Sequence, residues 1–93
     1  MNDPVYRMTR RASQLMGKPR GFGSYALFVY CSILWLSRRC SDFHLEADAI
    51  GHWAVGFCGK DKWYRGETIE MALAKAVIAV SRMSRPEKTL CGE

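Results

Sequence analysis

Ninety-three residues are expected to make one domain, and a chain this short must commit most of its 48% apolar residues to a single core. Its net charge is +5, and the excess sits in front: residues 1–39 hold seven Arg or Lys against one Asp, whereas residues 40–93 hold seven against eight acids. That asymmetry points to an acidic partner, which a nucleic acid, an anionic membrane or an acidic protein surface would each satisfy.

The four cysteines, Cys31, Cys40, Cys58 and Cys91, include no C-x-x-C pair and follow no secretory leader. A disulfide framework is therefore not expected, and the thiols read as reduced groups in a cytoplasm.

The first predicted element is a helix over 4–16. Asn2 and Asp3 offer capping oxygens, Pro4 has the fixed φ of a first helical position, and Gly17 followed by Lys18-Pro19 stops it. Val5, Met8, Ala12, Leu15 and Met16 make its apolar stripe, and Arg7, Arg10, Arg11 and Gln14 fall opposite, so the helix is basic and amphipathic. The connector GKPRGFG, residues 17–23, lacks both the preceding strand and the Gly-Lys-Ser/Thr ending of a phosphate-binding loop.

Ser24 then caps a segment over 24–37 whose length suits a helix, although its aromatic and β-branched content also suits a strand. Apolar nearly all round, this helix is expected at the centre of the fold, buried under the sheet. The uncharged run from Gly21 to Ser37 is 17 residues long, the lower limit for a membrane span. Only Tyr25 to Leu36 is strongly apolar, so a core helix is expected and no membrane partner.

Three strands follow over 43–65. Phe43, Leu45 and Ala47 alternate with His44 and Glu46, Asp48 to Gly51 turns the chain, and Trp53, Val55 and Phe57 alternate with His52, Ala54 and Gly56. Gly59-Lys60-Asp61 supplies a tight connection to a short edge strand, Trp63 to Arg65. Beyond Gly66 the hydrophobic period changes from two to about 3.6 residues, and Ile69, Leu73, Ala76, Val77 and Val80 share one side of a helix over 68–83.

Thr68 caps that helix, Glu70 suits its positive end, Arg82 and Arg85 suit its negative end, and Pro86 stops it. Met71, Ala74 and Ile78 widen its apolar surface beyond one sheet contact, which suggests a face covered by a partner or by a second copy of the chain. Residues 87–93 read as a loose tail. The whole is one α+β domain over 1–93, a small helix/sheet/helix sandwich of order α-α-β-β-β-α with an antiparallel sheet.

No constellation points to catalysis. Cys40, His44, His52 and Cys58 are separated by three, seven and five intervening residues, unlike any standard zinc set, and no acid is placed in sequence to orient a Cys-His pair. Asp42, Glu46 and Asp48 read as solvated strand-surface groups. Neither enzyme activity nor a metal or cofactor is expected.

The segments Ala12 to Gly17 (ASQLMG), Leu34-Trp35-Leu36, Trp53-x-Val55-x-Phe57 and Thr68 before the alanine-rich MALAKAVIAV together resemble the phage ABA sandwich domain family of small phage and prophage proteins. The likeness spans most of residues 10–83 and departs from the family at Ala26-Leu27 and Ala74-Lys75. It implies a phage-type origin and a layered α/β fold, and it brings no active site.

The expected function is therefore stoichiometric binding. Arg7, Arg10, Arg11, Lys18, Arg20, Arg38 and Arg39 are the expected contacts, joined by Lys60, Lys62, Trp63 and Arg65 of the hairpin KDKWYR, where cations interleave with aromatic faces. One reading is a phage-type inhibitor that blocks a host protein machine, such as a CRISPR effector, at an acidic or nucleic-acid-binding surface. The other is a nucleic-acid-binding accessory protein that uses its basic N-terminal half.

Overall fold

A computed structural model describes residues 4–40, 42–47, 50–56 and 63–83. Helix α1 (Pro4–Leu15) and helix α2 (Tyr25–Arg39) precede strands β1 (His44–Ala47), β2 (Trp53–Gly56) and β3 (Trp63–Gly66), and helix α3 (Ile69–Met83) follows them. The α+β class and the element order match the sequence reading. The expected caps at Asn2 and Asp3, the turns at Asp48 and at Gly59 to Asp61, the strand position Phe57, the stop at Arg85-Pro86 and the 87–93 tail lie outside the described residues.

Local signals explain where the helices begin. Ser24 has extended backbone, and its Oγ accepts the Leu27 N–H at 3.2 Å, an N-cap that supplies an acceptor for an otherwise unpaired amide. Thr68 does the same for the Met71 N–H at 3.2 Å. Arg38 and Arg39 fall in the last turn of α2, where positive charge is favourable, and the Cys40 N–H donates to the Leu36 carbonyl at 2.8 Å. The length of 24–37 thus prevails over its β-leaning composition.

The sheet is antiparallel in the order β1-β2-β3. Its register places Leu45, Val55 and Tyr64 in one row and His44, Gly56 and Trp63 in the next, so alternate residues face opposite sides. The Val55 row faces the core. On the other face, the Trp63 ring lies over Gly56, where an added Cβ would come within 2.8 Å of it.

The core is organised around α3, which corrects the expectation that 24–37 is the buried central helix. Ala72, Leu73, Ala74, Ala76, Val77 and Val80 are all fully buried and span most of the circumference of α3. α1, α2, β2 and β3 all pack against it. Alanine makes this arrangement feasible, because four small side chains let neighbouring elements approach closely from several directions.

α2 buries only Phe28, Ser32 and Leu36 and leaves Tyr25, Leu27, Tyr30 and Leu34 exposed, Tyr30 by 61%. Near-uniform hydropathy therefore concealed a one-sided burial. The breadth of α3 noted at Met71, Ala74 and Ile78 is consumed inside the chain: Ala74 is fully buried and the other two partly so.

In α1 the buried positions are Thr9, Ala12 and Ser13, whereas Leu15, assigned to the apolar stripe, is 38% exposed. The two hydroxyls enter the core because each finds a carbonyl one turn back: Thr9 Oγ1 donates to Tyr6 at 3.0 Å and Ser13 Oγ to Thr9 at 2.7 Å. Small side chains at this seam let α1 sit close on α3. No helix among the described residues is long and apolar enough to cross a membrane.

Candidate binding surface

Turning the seam of α1 inward sends its arginines out, and helical spacing spreads them. Arg7 lies on the outward crest, with Arg10 toward one flank and Arg11 toward the other. Each flank borders a concavity of different chemistry.

Arg11 borders an open groove of about 470 Å³ between α1, α3 and β3. Its floor is Met8, Ile78 and Ala79, with Tyr64 at the sheet side, and Lys75 and Arg82 complete a cationic rim with Arg11. Lys75 and Arg82 lie one heptad apart on the exposed side of α3. Lys75 Nζ is held by donating to the Arg65 carbonyl at 2.7 Å. The sequence reading placed neither residue in the surface; their spacing of seven was the available signal, and it identified a face only once α1 was known to lie beside it.

Arg10 borders a second pocket of about 330 Å³, formed by α1, the connector and the start of α2. Its Nη1 donates to the Tyr6 hydroxyl at 2.6 Å and its Nε to the Pro19 carbonyl at 3.4 Å, so the side chain is tethered to both walls. Arg20, Phe22 and Tyr25 contribute to the lining. The connector can form this wall because Gly21 and Gly23 have φ of 85° and 75°, in the left-handed region. Around Gly23 the Ser24 N–H donates to the Phe22 carbonyl at 2.6 Å, a three-residue turn that sets Phe22 edge-on to Phe28 at 6.1 Å.

The remaining expected contacts are dispersed. Lys18 is exposed on the connector and Arg65 on β3, whereas Arg38 and Arg39 end α2, with Arg39 stacked on Trp35. Trp63 is half-buried beneath its cross-strand neighbours, with the His44 ring 6.4 Å away, and serves as a cover for Gly56. Lys60 and Lys62 lie outside the described residues. The structure therefore brings together Arg11 with Lys75 and Arg82, and Arg10 with Arg20, rather than one continuous patch, and leaves Arg7 on the crest of α1.

Two groups are electrostatically perturbed. Burial pushes the Cys40 thiol up to about 11, against an opposing influence from Arg39, and burial followed by the Cys40 charge raises the Tyr64 phenol. Both shifts stabilise neutral forms, the reverse of what an activated nucleophile requires. His44 Nδ1 is bonded to the Asp42 carbonyl at 2.7 Å, which assigns its proton to Nδ1. Among the described residues no three of the His, Cys, Asp and Glu side chains converge as metal ligands, and Cys58 lies outside them.

No family model, curated protein or solved structure matches this chain.

Proposed function

We propose that this chain is a non-enzymatic binding protein that docks the α1 ridge and its adjoining groove on an acidic surface of a host protein machine and blocks it. A CRISPR effector is one such machine, and the phage-type likeness in residues 10–83 is what suggests a host target. The observation that supports docking is the combination at the groove: Arg11, Lys75 and Arg82 ring an apolar floor of Met8 and Ile78. No ion pair among the described residues engages Arg7, Arg11, Lys75 or Arg82.

A bare cationic patch recruits any polyanion. An apolar floor inside a cationic rim instead suits a protein surface that presents an apolar anchor among carboxylates, because the anchor contributes burial and the rim sets orientation. The opposite polarity, a basic nucleic-acid channel, would be repelled.

The experiment is affinity capture from host lysate with the wild type and with an Arg11→Glu, Arg82→Glu variant, followed by reconstitution with the purified target and an assay of its activity. Saturable, stoichiometric inhibition that the variant loses is the expected result. A second reading, direct nucleic-acid binding, is favoured by the aromatic and cationic lining of the Arg10 pocket. Tight gel shifts on duplex or single strands with a steep salt slope, and no protein target, would replace the first reading by the second.

A further inference from the structure

We propose that the pocket beside Arg10 is a binding site for a nucleoside monophosphate, taken either as the free nucleotide or as the phosphorylated end of a single strand. The pocket stands apart from the docking groove, on the other flank of α1, and the two linings have no residue in common.

Its size comes first. At about 330 Å³ it lies at the small end of ligand sites, which run from about 300 to 1,000 Å³, a size suited to a single nucleotide. Its walls are aromatic on three sides of the chain: Tyr6 from α1, Phe22 from the connector and Tyr25 from α2. Tyr6 and Tyr25 are 45% and 41% exposed, so neither is packed into the core; the Arg10 guanidinium lies over the Tyr6 ring, 6.0 Å from its centre, and Tyr25 is the ring left for an occupant to stack on. A flat, apolar-faced ring is the shape such walls stack on.

The charge is of one sign. Arg10 and Arg20 both line the pocket, and no acid does. Neither is ion-paired among the described residues. The bonds of Arg10 to Tyr6 and Pro19 use Nη1 and Nε, which fixes the plane of the fork while Nη2 keeps its donors. A guanidinium held in this way is suited to a phosphate oxygen, which accepts charge-assisted hydrogen bonds at fixed geometry.

The hydroxyls of Thr9 and Ser13 in the lining already donate to carbonyls within α1. Recognition by stacking and charge alone would favour the phosphate-bearing ring over any particular base.

The experiment is amide and aromatic NMR titration of the full chain with AMP, UMP, uridine, inorganic phosphate and a 5′-phosphorylated oligothymidine. Millimolar or tighter binding of AMP and UMP is expected, with shifts concentrated at Tyr6, Gly21, Phe22, Gly23 and Tyr25. Uridine and inorganic phosphate should each bind about tenfold more weakly, since each lacks one half of the recognised group.

Arg20→Gln and Tyr25→Leu, at exposed positions, should each weaken AMP binding by about tenfold without altering the melting temperature. Arg20→Lys, which keeps the charge and loses the fork, serves as the second variant if Gln perturbs folding. Saturation by the oligonucleotide at the same residues identifies a strand end as a source, and saturation by AMP alone identifies the free nucleotide. The proposal is overturned if no ligand shifts these resonances, if inorganic phosphate binds as tightly as AMP, or if neither variant weakens binding. A failure of this kind leaves protein docking at the Arg11 groove untouched.

Discussion

The guanidinium of Arg39 lies over the ring of Trp35, with its Cζ 4.1 Å from the ring centre. The stack pins Arg39 in the last turn of α2, where its charge also complements the helix end. Arg38, its neighbour in the basic pair, has no such partner among the described residues. Arg39→Ala is expected to lower the unfolding free energy by about 0.5–1 kcal/mol. Arg38→Ala should change it by at most a few tenths, and urea denaturation of the two variants compares them.

Cys40 is 7% exposed, and its thiol is raised from the ordinary 9.0 to about 11. Tyr64 is raised as well. Each acid keeps its proton in the folded chain over a range where the unfolded chain releases it, so the unfolded state binds fewer protons there. Stability from Cys40 is therefore complete below about pH 9 and is lost as the pH climbs toward about 11. Urea midpoints across this window should fall with rising pH, and Cys40→Ala should flatten part of the slope. A slope unchanged in Cys40→Ala would assign the alkaline loss to other groups.

Gly66 and Gly56 are both closed to a side chain, for different reasons. A Cβ at Gly66 would come within 2.6 Å of the Ala72 backbone nitrogen and 2.8 Å of Met71 Cβ, at the point where β3 hands over to α3. Backbone cannot move aside there, so Gly66→Ala is expected to destabilise by about 1–3 kcal/mol. At Gly56 the obstacle is the Trp63 ring, which can swing away. Gly56→Ala should shift the tryptophan emission toward that of exposed indole, and an unchanged spectrum would contradict the placement of Trp63.

Ser32 is fully buried in α2, and its Oγ has no hydrogen-bond partner among the described residues. Replacing it by alanine removes an unsatisfied hydroxyl and introduces the best helix former. Ser32→Ala should raise stability by about 1 kcal/mol. A measurable loss of stability on chemical denaturation would show that the hydroxyl is bonded in solution.

The surface was only half legible beforehand. Arg7, Arg10 and Arg11 are identifiable because one helix carries them, and spacing alone turns them outward once the small residues Thr9, Ala12 and Ser13 form the seam. Lys75 and Arg82 were not, because their significance depends on α1 lying against α3, a contact between residues more than sixty positions apart. Trp63 read as a stacking platform for bases and, more readily, as core or edge cover, and the register sets it opposite Gly56.

Local chemistry wrote the element list: the caps at Ser24 and Thr68, the stop at Gly17, and the change of period after Gly66 act within a few residues of one another and need no distant contact. Which helix is central could not be written that way. Hydropathy reports how readily a segment leaves water, and by that measure α2 and α3 are close rivals. The fold chose α3 because its alanines let helices and strands approach from several sides, whereas the bulky Tyr25, Leu27, Tyr30 and Leu34 of α2 were left outside.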